Sequence, residues 1–503
     1  MKQRPRAANR LGKSIFVPQY ARRLHPKEYD VVYVDGKYFR NTKHDAVIKQ
    51  IRDFAIVLDN KNSFSSKKIV TYADRQKDKE NIGLNGNHGS GRTVYYGSRF
   101  NILGVGKTTL CKSIIPSHST GNLELVGATR RIILSKWIDY FTQRTPAHLA
   151  LIALKETAKY KWGPLPIPLS LLVRADDGSL DRPSHVEQSP DISIDFEKIS
   201  TEYAQLDAEY FAYRIMLGAW STSNYSLNGH IIDLESASFV KYRGPYYTSS
   251  SEYPHNRFGY EGLGFLRILH RLADIKNIKD VKIENRFYKE RRKHLGRCVL
   301  SLLGIDDSRA SAFFSKHQSR VIKLSNQFET LAKKISAPKA ELNLYLPISD
   351  DENPSLLDMS HLFRNLAKLY GSANAKEKAL KSLVRKNALS QINHDIKNLS
   401  MNQAELFIRD EAVITIVQTK DFLSKTRNFI RDLFKLLILL ESEKCLDKKG
   451  GWNHRLQTMN QDLLGMFELN ETLKSLAESC RIGNINPEAL GSEIDKLCEL
   501  PNI

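Results

Sequence analysis

Short β-prone runs dominate the hydrophobic pattern of the first 160 residues. The pair Asp35-Gly36 lies between two such runs and is a strong local cue for a β-hairpin. Gly97-Ser98 interrupts another stretch of aromatic and branched residues and predicts a second pair of strands. We therefore predict strands within 30–39, 54–58, 68–72 and 92–105.

Helical periodicity begins at residues 128–143, where apolar side chains recur at three- and four-residue spacing. Similar patterns predict a helix that ends at Trp220 and another over 262–275, with a short buried strand at 230–234 between them. From about residue 306 the chain is predicted to be helical almost throughout. An apolar stripe from Phe422 to Leu440 is typical of packed core, and Asn486-Pro487-Glu488 has the cap, proline and acid of a helix start.

These patterns predict an α+β protein with four parts. Residues 1–28 carry eight Lys or Arg against one acidic residue and are predicted to form a mobile basic arm. The remaining parts are a β-rich region with glycine turns and one helix at 29–160, a mixed region at 161–305 and an α-helical region at 306–503.

The net charge of the chain indicates which partners it favours, but it carries no information about the fold. Lys plus Arg number 76 against 56 for Asp plus Glu, a net charge of +20, which favours anionic partners or a basic solvated surface. The basic cluster Arg286–Lys293 is not followed by a repeated basic–aromatic pattern, so nucleic acid is a less favoured partner than a nucleotide. The five cysteines form no Cys-x-x-Cys pair, and Leu433–Leu440 is too short to span a bilayer, so we expect a cytoplasmic protein without a transmembrane segment.

Two glycine-rich segments suggest phosphate binding. They are His88–Thr93 and Leu103–Thr108, in which small residues let backbone N–H groups approach phosphate oxygens beside Arg92 and Lys107. Gly106-Lys107-Thr108 also resembles the end of a P-loop, but that motif requires glycine where the chain has Asn101. A pair of glycine turns without a ligand remains an alternative.

A polar loop after residue 220 presents a candidate metal site. Asn224 precedes Asp233 by nine positions, and a short hairpin would bring their side chains together. Amide and carboxylate oxygens are ligands that Mg²⁺ accepts alongside substrate phosphates.

Several of these segments follow one another in the order of motifs of a known family. Gly89-Ser90-Gly91-Arg92 is similar to a Gly-Asp-Gly-Arg turn, and Leu103-Gly104-Val105-Gly106 to a Lys-Gly-Ala-Gly segment. Thr222-Ser223-Asn224 is similar to Thr-Asp-Asn, with Asp233 at the position of a metal-binding aspartate. Over about residues 80–275 the chain resembles the SelO proteins, kinase-fold enzymes that transfer AMP from ATP to protein hydroxyls.

The resemblance implies a two-lobed kinase-like core, ATP and Mg²⁺ as cofactors, and a role for each matching residue. Asn224 and Asp233 would hold the metal. The residues implied to bind the nucleotide are Gly89, Gly91, Arg92, Gly104, Gly106, Lys107, Arg174 and Arg182.

Three departures from the family bear on catalysis. Ser223 replaces the aspartate that would act as general base, and serine is not a base at neutral pH without an activating partner. Leu103 replaces the strand lysine, for which Lys107 is a nearby substitute, and Lys136 stands where a glutamate would orient that lysine.

Three hypotheses about function follow. The first is a SelO-like ATP- and Mg²⁺-dependent nucleotidyltransferase that moves AMP to a protein or peptide hydroxyl, with Ser223 in the place of the base. The second is a non-catalytic pseudokinase-like subunit that assists an acyltransferase-like partner in peptide modification, such as bacteriocin (siderophore-microcin) maturation. The third is a P-loop nucleotidase that uses Lys107 and Asp233.

Overall fold

The computed structural model combines one large antiparallel sheet with a helical region, which is an α+β architecture. It describes residues 5–59, 69–77, 88–89, 91–111, 120–159, 166–216, 221–234, 237–239, 262–279, 282–334, 420–446, 455, 469, 472–473, 475–476 and 486–499. The helical prediction for residues 335–419 lies outside this part of the chain. All positions below refer to the described residues.

Nine described strands form the sheet. They are β1 (Phe16–Arg23), β2 (Tyr29–Val34), β3 (Ile56–Leu58), β4 (Ile69–Gln76), β5 (His88–Gly89), β6 (Thr93–Tyr96), β7 (Phe100–Leu103), β8 (His148–Ala158) and β9 (Ile167–Ala175). Their order is β2-β8-β9-β7-β6-β4-β1-β3, and β5 pairs with β4. The central strands β7, β8 and β9 carry runs of fully buried residues, so the core lies on both faces of the sheet.

The hairpin predicted around Gly97-Ser98 is confirmed. Strands β6 and β7 pair from Thr93 opposite Leu103 to Tyr96 opposite Phe100. Gly97 has φ of +58°, a left-handed conformation that glycine adopts without steric cost.

The hairpin predicted around Asp35-Gly36 does not form. Strand β2 ends at Val34 and pairs with β8 instead of with its sequence neighbour. The Asp35 carboxylate accepts the N–H groups of Lys37 and Tyr38 at 2.9 and 3.4 Å, a local turn that leads towards a helix at 44–54. An Asp-Gly pair therefore marks a turn here, but a distant strand supplies the partner.

The predicted boundaries at residues 28 and 160 do not separate structural units. Residues 5–28 are not a mobile arm, because β1 lies between β4 and β3 in the sheet and Ala7, Leu11 and Ile15 are buried. Strand β9 begins at Ile167, beyond the second boundary, yet lies between β8 and β7. The sheet thus extends from β1 to β9 as one layer.

Ten described helices accompany the sheet. They are α1 (Ala7–Leu11), α2 (His44–Phe54), α3 (Leu125–Thr142), α4 (Pro183–Gln188), α5 (Phe196–Tyr213), α6 (Gly262–Ile275), α7 (Ile283–Leu302), α8 (Asp307–Lys334), α9 (Lys420–Ser442) and α10 (Pro487–Cys498). Helix α3 contacts β8 and β9 on one side and α5 on the other, so it joins the sheet to the helices. Helices α5, α7, α8 and α9 contact one another in succession.

Two predicted helices are confirmed closely and one ends early. The helices predicted at 128–143 and 262–275 correspond to α3 and α6. The helix predicted to reach Trp220 ends at Tyr213, because Arg214 takes a left-handed conformation with φ of +62° and a two-residue strand, β10 (Ile215–Met216), follows. This strand pairs with β11 (Ser238–Phe239).

The C-terminal helix returns to the sheet. Helix α10 begins as predicted, with the Asn486 side chain accepting the N–H of Glu488 at 3.0 Å. It contacts β2 and α3, and the Trp137 indole donates to the Leu497 carbonyl at 2.8 Å. Among the described helices, none combines the length and the apolar character that a membrane crossing requires.

Candidate functional site

The candidate site lies where α3, β9 and two loops meet. Helix α3 contributes Arg131, β9 contributes Arg174, and Arg182 immediately precedes α4. The loop 221–234 contributes Asn224 and Asp233. We call Arg131, Arg174 and Arg182 the arginine cluster.

Arg174 is the buried centre of the arginine cluster, with 1% of its surface exposed. Its Nε and Nη2 donate to Oδ1 of Asn101 at 3.2 and 2.7 Å, and its Nη1 donates to the carbonyl of Ile232 at 3.4 Å. Both acceptors are uncharged, so these hydrogen bonds position the guanidinium without neutralising it. Asn101, the residue that departs from the P-loop pattern, is thus the acceptor that holds a buried arginine.

The surroundings of Arg174 disfavour its positive charge. Burial lowers the pKa of Arg174 well below its usual value, and the charges of Arg182 and Arg131 lower it further, while Tyr95 and Asp233 oppose this in part. Because a guanidinium does not give up its proton in proteins, the imbalance creates an attraction for an anion. An anion at this point would relieve repulsion among three guanidiniums.

His148 adds to the same imbalance. It lies opposite Arg174 in the β8–β9 pairing and is 2% exposed. Burial lowers the pKa of His148 well below its usual value, with Arg174, Arg131 and Lys136 adding to the effect. In the described residues neither ring nitrogen has a partner in hydrogen-bond geometry, although the Pro146 carbonyl lies near enough to oppose the shift slightly. The imidazole is therefore neutral at physiological pH.

The loop 221–234 brings Asn224 and Asp233 together through the backbone. The Asn224 carbonyl accepts the N–H groups of Ile232 at 2.8 Å and of Asp233 at 3.4 Å. Tyr225 and Ile231 form an isolated antiparallel bridge, so the predicted strand at 230–234 is reduced to this single pairing. The two residues predicted to hold a metal are neighbours across a tight hairpin.

Asp233 forms an ion pair with Arg131 at 2.9 Å. The arginine side chain is 3% exposed, whereas the Asp233 side chain is 32% exposed. A buried guanidinium thus presents its charge to a carboxylate at the accessible side of the site. A metal ion at Asp233 would have to share this carboxylate with Arg131.

A second network, centred on Arg144, holds the loop 221–234 in place. Arg144 forms ion pairs with Glu202 and Glu209, and its carbonyl accepts the N–H of Ile231 at 2.9 Å. Gly229, at φ of +73°, lies so close that a Cβ would be 3.0 Å from the Arg144 guanidinium. The loop conformation therefore depends on a glycine at this position.

Arg182 is held by a buried network on β4 and α4. Its Nη1 donates to Gln76 at 3.1 Å, and its backbone N–H donates to Nδ1 of His185 at 3.0 Å. The other ring nitrogen of His185 then carries the proton and donates to Asp74 at 2.7 Å. Burial alone would raise the pKa of Asp74. Hydrogen bonds from His185 and Gln76 and the charge of Arg182 outweigh this effect and hold the pKa well below its ordinary value.

The two glycine-rich segments lie against each other. The Arg92 carbonyl accepts the N–H of Gly104 at 2.8 Å, and the Gly91 carbonyl accepts the N–H of Thr108 at 3.0 Å. Gly89 pairs with Arg75 of β4, next to Gln76, which holds Arg182. The glycine turns thus border the strand that positions part of the arginine cluster.

Close backbone packing accounts for the glycines of the second segment. At Gly104, with φ of +85°, a Cβ would lie 2.2 Å from the Ser170 carbonyl. Gly106 has φ of +96°, and a Cβ on Gly121 would lie 2.2 Å from the Gly106–Lys107 peptide. These positions require glycine whether or not a phosphate binds.

Lys107 and Lys136, the two lysines named in the family comparison, lie outside the arginine cluster. Lys107 is exposed, and the described residues 104–111 contain no helix of the kind that follows a P-loop lysine. Lys136 forms an ion pair with Asp35 at 2.7 Å. The ion pair of Lys136 is therefore made with Asp35, and no described contact links Lys136 to Lys107.

Ser223 lies at the accessible side of the loop. Its hydroxyl forms a 2.6 Å hydrogen bond with the hydroxyl of Ser221, and the Ser223 N–H donates to the same Ser221 oxygen at 3.0 Å. A serine hydroxyl is no proton acceptor at neutral pH, so this pair does not supply a general base.

Asp176-Asp177 begins a turn beside the site. Asp177 accepts the N–H of Ser179 at 3.0 Å, and Gly178 has φ of +101°. Asp176 and Asp181 both form ion pairs with Arg10 of α1, at 2.6 and 2.5 Å. The turn fastens the N-terminal helix beside the site.

Sequence reasoning missed Arg131, His148 and the Asp74–His185 pair. Arg131 occurs in an otherwise apolar helical stretch, and a charged residue on a buried helix face is the signal that was available. His148 and Asp74 carry no local signal, because their partners lie on other strands and helices. These residues belong to the candidate site, although the sequence motifs do not include them.

The donor set fits a polyphosphate better than a metal ion alone. Across the described residues no three His, Cys, Asp or Glu side chains come together as a metal site. Asn224 and Asp233 offer two side-chain oxygens, which suits an Mg²⁺ that arrives with phosphates and keeps several waters. Guanidiniums, by contrast, match phosphate oxygens directly.

Comparisons with known proteins do not add to this picture. No family model matches the chain, and no curated protein is similar enough to indicate a relationship.

Proposed function

We propose that the protein binds ATP, or a closely related nucleoside polyphosphate, at the arginine cluster. The observation that carries the proposal is Arg174, a buried guanidinium that hydrogen-bonds only to uncharged acceptors among its described contacts and is repelled by Arg131 and Arg182. Burying a charge in this way opposes folding unless a counter-charge binds. A polyphosphate supplies several negative oxygens to one such region.

The finer architecture that we propose is a kinase-like, SelO-like core. The sheet would act as the nucleotide-covering lobe, and the loop 221–234 with the following helices as the opposing lobe. Support comes from the colinear motifs and from the position of Asn224 and Asp233 beside the arginine cluster.

ATP would bring Mg²⁺ to the open side of the cluster, where Asn224 and Asp233 would hold it. Bound there, Mg²⁺ would supply charge stabilisation to the phosphates. The residues of this chain would do the rest: Arg182 and Arg131 would orient the phosphates, and Arg174 would add charge from behind them. Such positioning and charge stabilisation account for most of the catalysis in phosphoryl-type transfer.

AMP transfer to a protein or peptide hydroxyl is the reaction that the SelO resemblance suggests. Ser223 stands where the acceptor hydroxyl would lose its proton, and it offers no base. Loss of general-base assistance typically slows a reaction about 10²- to 10⁴-fold. The activity expected is therefore slow.

A non-catalytic role is the second candidate, and two observations favour it. The Ser223 hydroxyl is hydrogen-bonded to the hydroxyl of Ser221, and Arg131 already forms an ion pair with the carboxylate that would hold Mg²⁺. In this case nucleotide binding would stabilise a subunit that acts by holding a partner, such as an acyltransferase-like enzyme of peptide modification.

Labelled ATP separates these candidates. Transfer of label to protein from α-³²P-ATP but not from γ-³²P-ATP would establish AMP transfer. Label from neither position, together with an ATP-dependent rise in melting temperature, would support the non-catalytic subunit.

Melting temperatures test the binding proposal and the P-loop hypothesis together. ATP with Mg²⁺ should raise the melting temperature of the wild type, and Asp233→Ala should reduce that rise, because a ligand stabilises the state it binds. Lys107→Ala should have little effect on the rise. Complete loss of the rise in Lys107→Ala alone would instead support a P-loop site.

A further inference from the structure

A cleft of about 960 Å³ lies between the end of β2, helix α3 and helix α10. None of the residues that line the cleft belongs to the arginine cluster. Helix α3 contributes to both places: its Arg131 forms an ion pair with Asp233, and its Lys136, five residues later, forms one with Asp35 in the cleft. Its volume lies in the range of small-molecule sites. We call it the acidic cleft.

Carboxylates outnumber cations in the acidic cleft, although the chain as a whole carries a net charge of +20. Lys136 is engaged with Asp35 at 2.7 Å, and the other lining cation is Lys37. The remaining acidic residues of the lining are Asp139, Asp495 and Glu499.

The acids of α10 oppose the stability of their own helix. Asp495 and Glu499 are four residues apart, where like charges repel, and they lie at the C-terminal end, where the helix dipole is negative. In the described residues neither forms an ion pair, whereas Glu493 on the same helix pairs with Lys496 at 3.8 Å. Partial burial and the charge of Glu499 raise the pKa of Asp495. Such local conflicts are typical of functional positions.

Tyr33 gives a second, independent indication of a ligand. The residue is 6% exposed and lines the cleft, and no hydrogen bond to its hydroxyl is formed by the described residues. Its neighbours Asp35, Cys498 and Asp495 also line the cleft, so the phenol group faces the same space. A phenol hydroxyl that opens into the cleft, on a ring that is otherwise buried, can accept an incoming N–H group.

Cys498 does not turn the cleft into a nucleophilic site. Burial raises the pKa of its thiol to about 12, and Lys136 opposes this only in part. The thiol therefore stays protonated and serves as an apolar wall.

We propose that the acidic cleft binds an organic cation through its alkylammonium group. Asp495 and Glu499 would balance the positive charge, the Tyr33 hydroxyl would accept one N–H, and the alkyl portion would lie along Cys498. Such a group is carried by a free polyamine or by a lysine side chain of a peptide. This proposal does not depend on nucleotide binding.

Calorimetric titration of the full chain in 150 mM NaCl tests the proposal with two probes. Spermidine represents the free polyamine, and N-acetyl-lysine amide represents the peptide side chain. At least one should bind, and the tighter of the two identifies the source. Absence of binding by both at millimolar concentration would overturn the proposal.

Charge-neutral variants assign the binding to the cleft. The double variant Asp495→Asn/Glu499→Gln should weaken binding at least tenfold, and it should fold normally because it removes a repulsion. Glu493→Gln, on the same helix but outside the cleft, should stay within twofold of the wild type. Equal weakening in both proteins would show general surface attraction and would also overturn the proposal.

Discussion

Arg174 illustrates how a single buried charge at a candidate site can oppose the stability of the fold. Its guanidinium is buried against Asn101 and the Ile232 carbonyl, and Arg131 and Arg182 repel it. Replacing buried ionic groups by apolar ones often leaves a protein as stable or more so, which makes retention of this charge a sign of function rather than of folding.

His148 predicts an acid-side loss of stability. Its folded-state pKa is lowered, so below about pH 6.5 the unfolded chain binds a proton that the folded chain refuses. This group alone should remove about 1.4 kcal/mol of unfolding free energy between pH 7.5 and 5.5. Urea unfolding of wild type and His148→Leu at both pH values checks this: the variant should lose less by about that amount, and an identical loss would refute the assignment.

Ser223 offers a gain-of-function prediction. If AMP transfer is the ancestral chemistry of the site, Ser223→Asp restores a base and should raise transfer from α-labelled ATP about 10²-fold or more. The matched control is Ser223→Asn, which has the shape of aspartate without a basic carboxylate and should not raise the rate. No gain in Ser223→Asp would favour the non-catalytic subunit.

At the scale of elements, local patterns were predictable and distant pairings were not. Helix α3 and the β6–β7 hairpin follow from periodicity and a glycine turn within one segment. Strand β2 was assigned a neighbouring partner, but it pairs with β8, more than a hundred residues away. Hydrophobic alternation shows that a strand has a buried face, but it does not show which strand lies beside it.

The same limit applies to the candidate site. Sequence analysis identified Asn224 and Asp233 from a polar loop and Arg174 and Arg182 from the family resemblance, and the structure places all four in one region. It could not identify Arg131 as the partner of Asp233, because that contact joins a helix and a loop 102 positions apart in sequence.

Gly121 packs against the backbone of the second glycine-rich segment, whereas Gly97 faces open space. We therefore predict that replacing each by alanine lowers the free energy of unfolding by different amounts. Gly97→Ala meets no atom within 4 Å and should cost about 1–2 kcal/mol for its left-handed backbone. Gly121→Ala adds a clash with the Gly106–Lys107 backbone and should cost more than about 4 kcal/mol. Urea unfolding measures both, and equal costs would contradict the described packing.

At the scale of the whole molecule, the sheet gathers distant parts of the chain. Strand β1 comes from the region predicted to be a basic arm, β9 from beyond the predicted boundary at residue 160, and α10 returns to cover β2. Charge and hydrophobic patterns suggested boundaries at residues 28 and 160, but the burial of strand faces decided which segments share the sheet. Within the described residues, charges of opposite sign are concentrated at two places, the arginine cluster and the acidic cleft.

Calorimetric titration of ATP into wild type and Arg182→Gln tests the central claim most directly. Arg182 is only partly buried, its backbone contact to His185 survives the substitution, and Arg22→Gln at a surface ion pair with Glu28 is the matched control. Loss of a charged hydrogen-bond donor should weaken ATP binding about 10- to 100-fold in Arg182→Gln and leave Arg22→Gln unchanged. Equal affinity in all three proteins, or no binding by the wild type, would contradict a polyphosphate site at the arginine cluster.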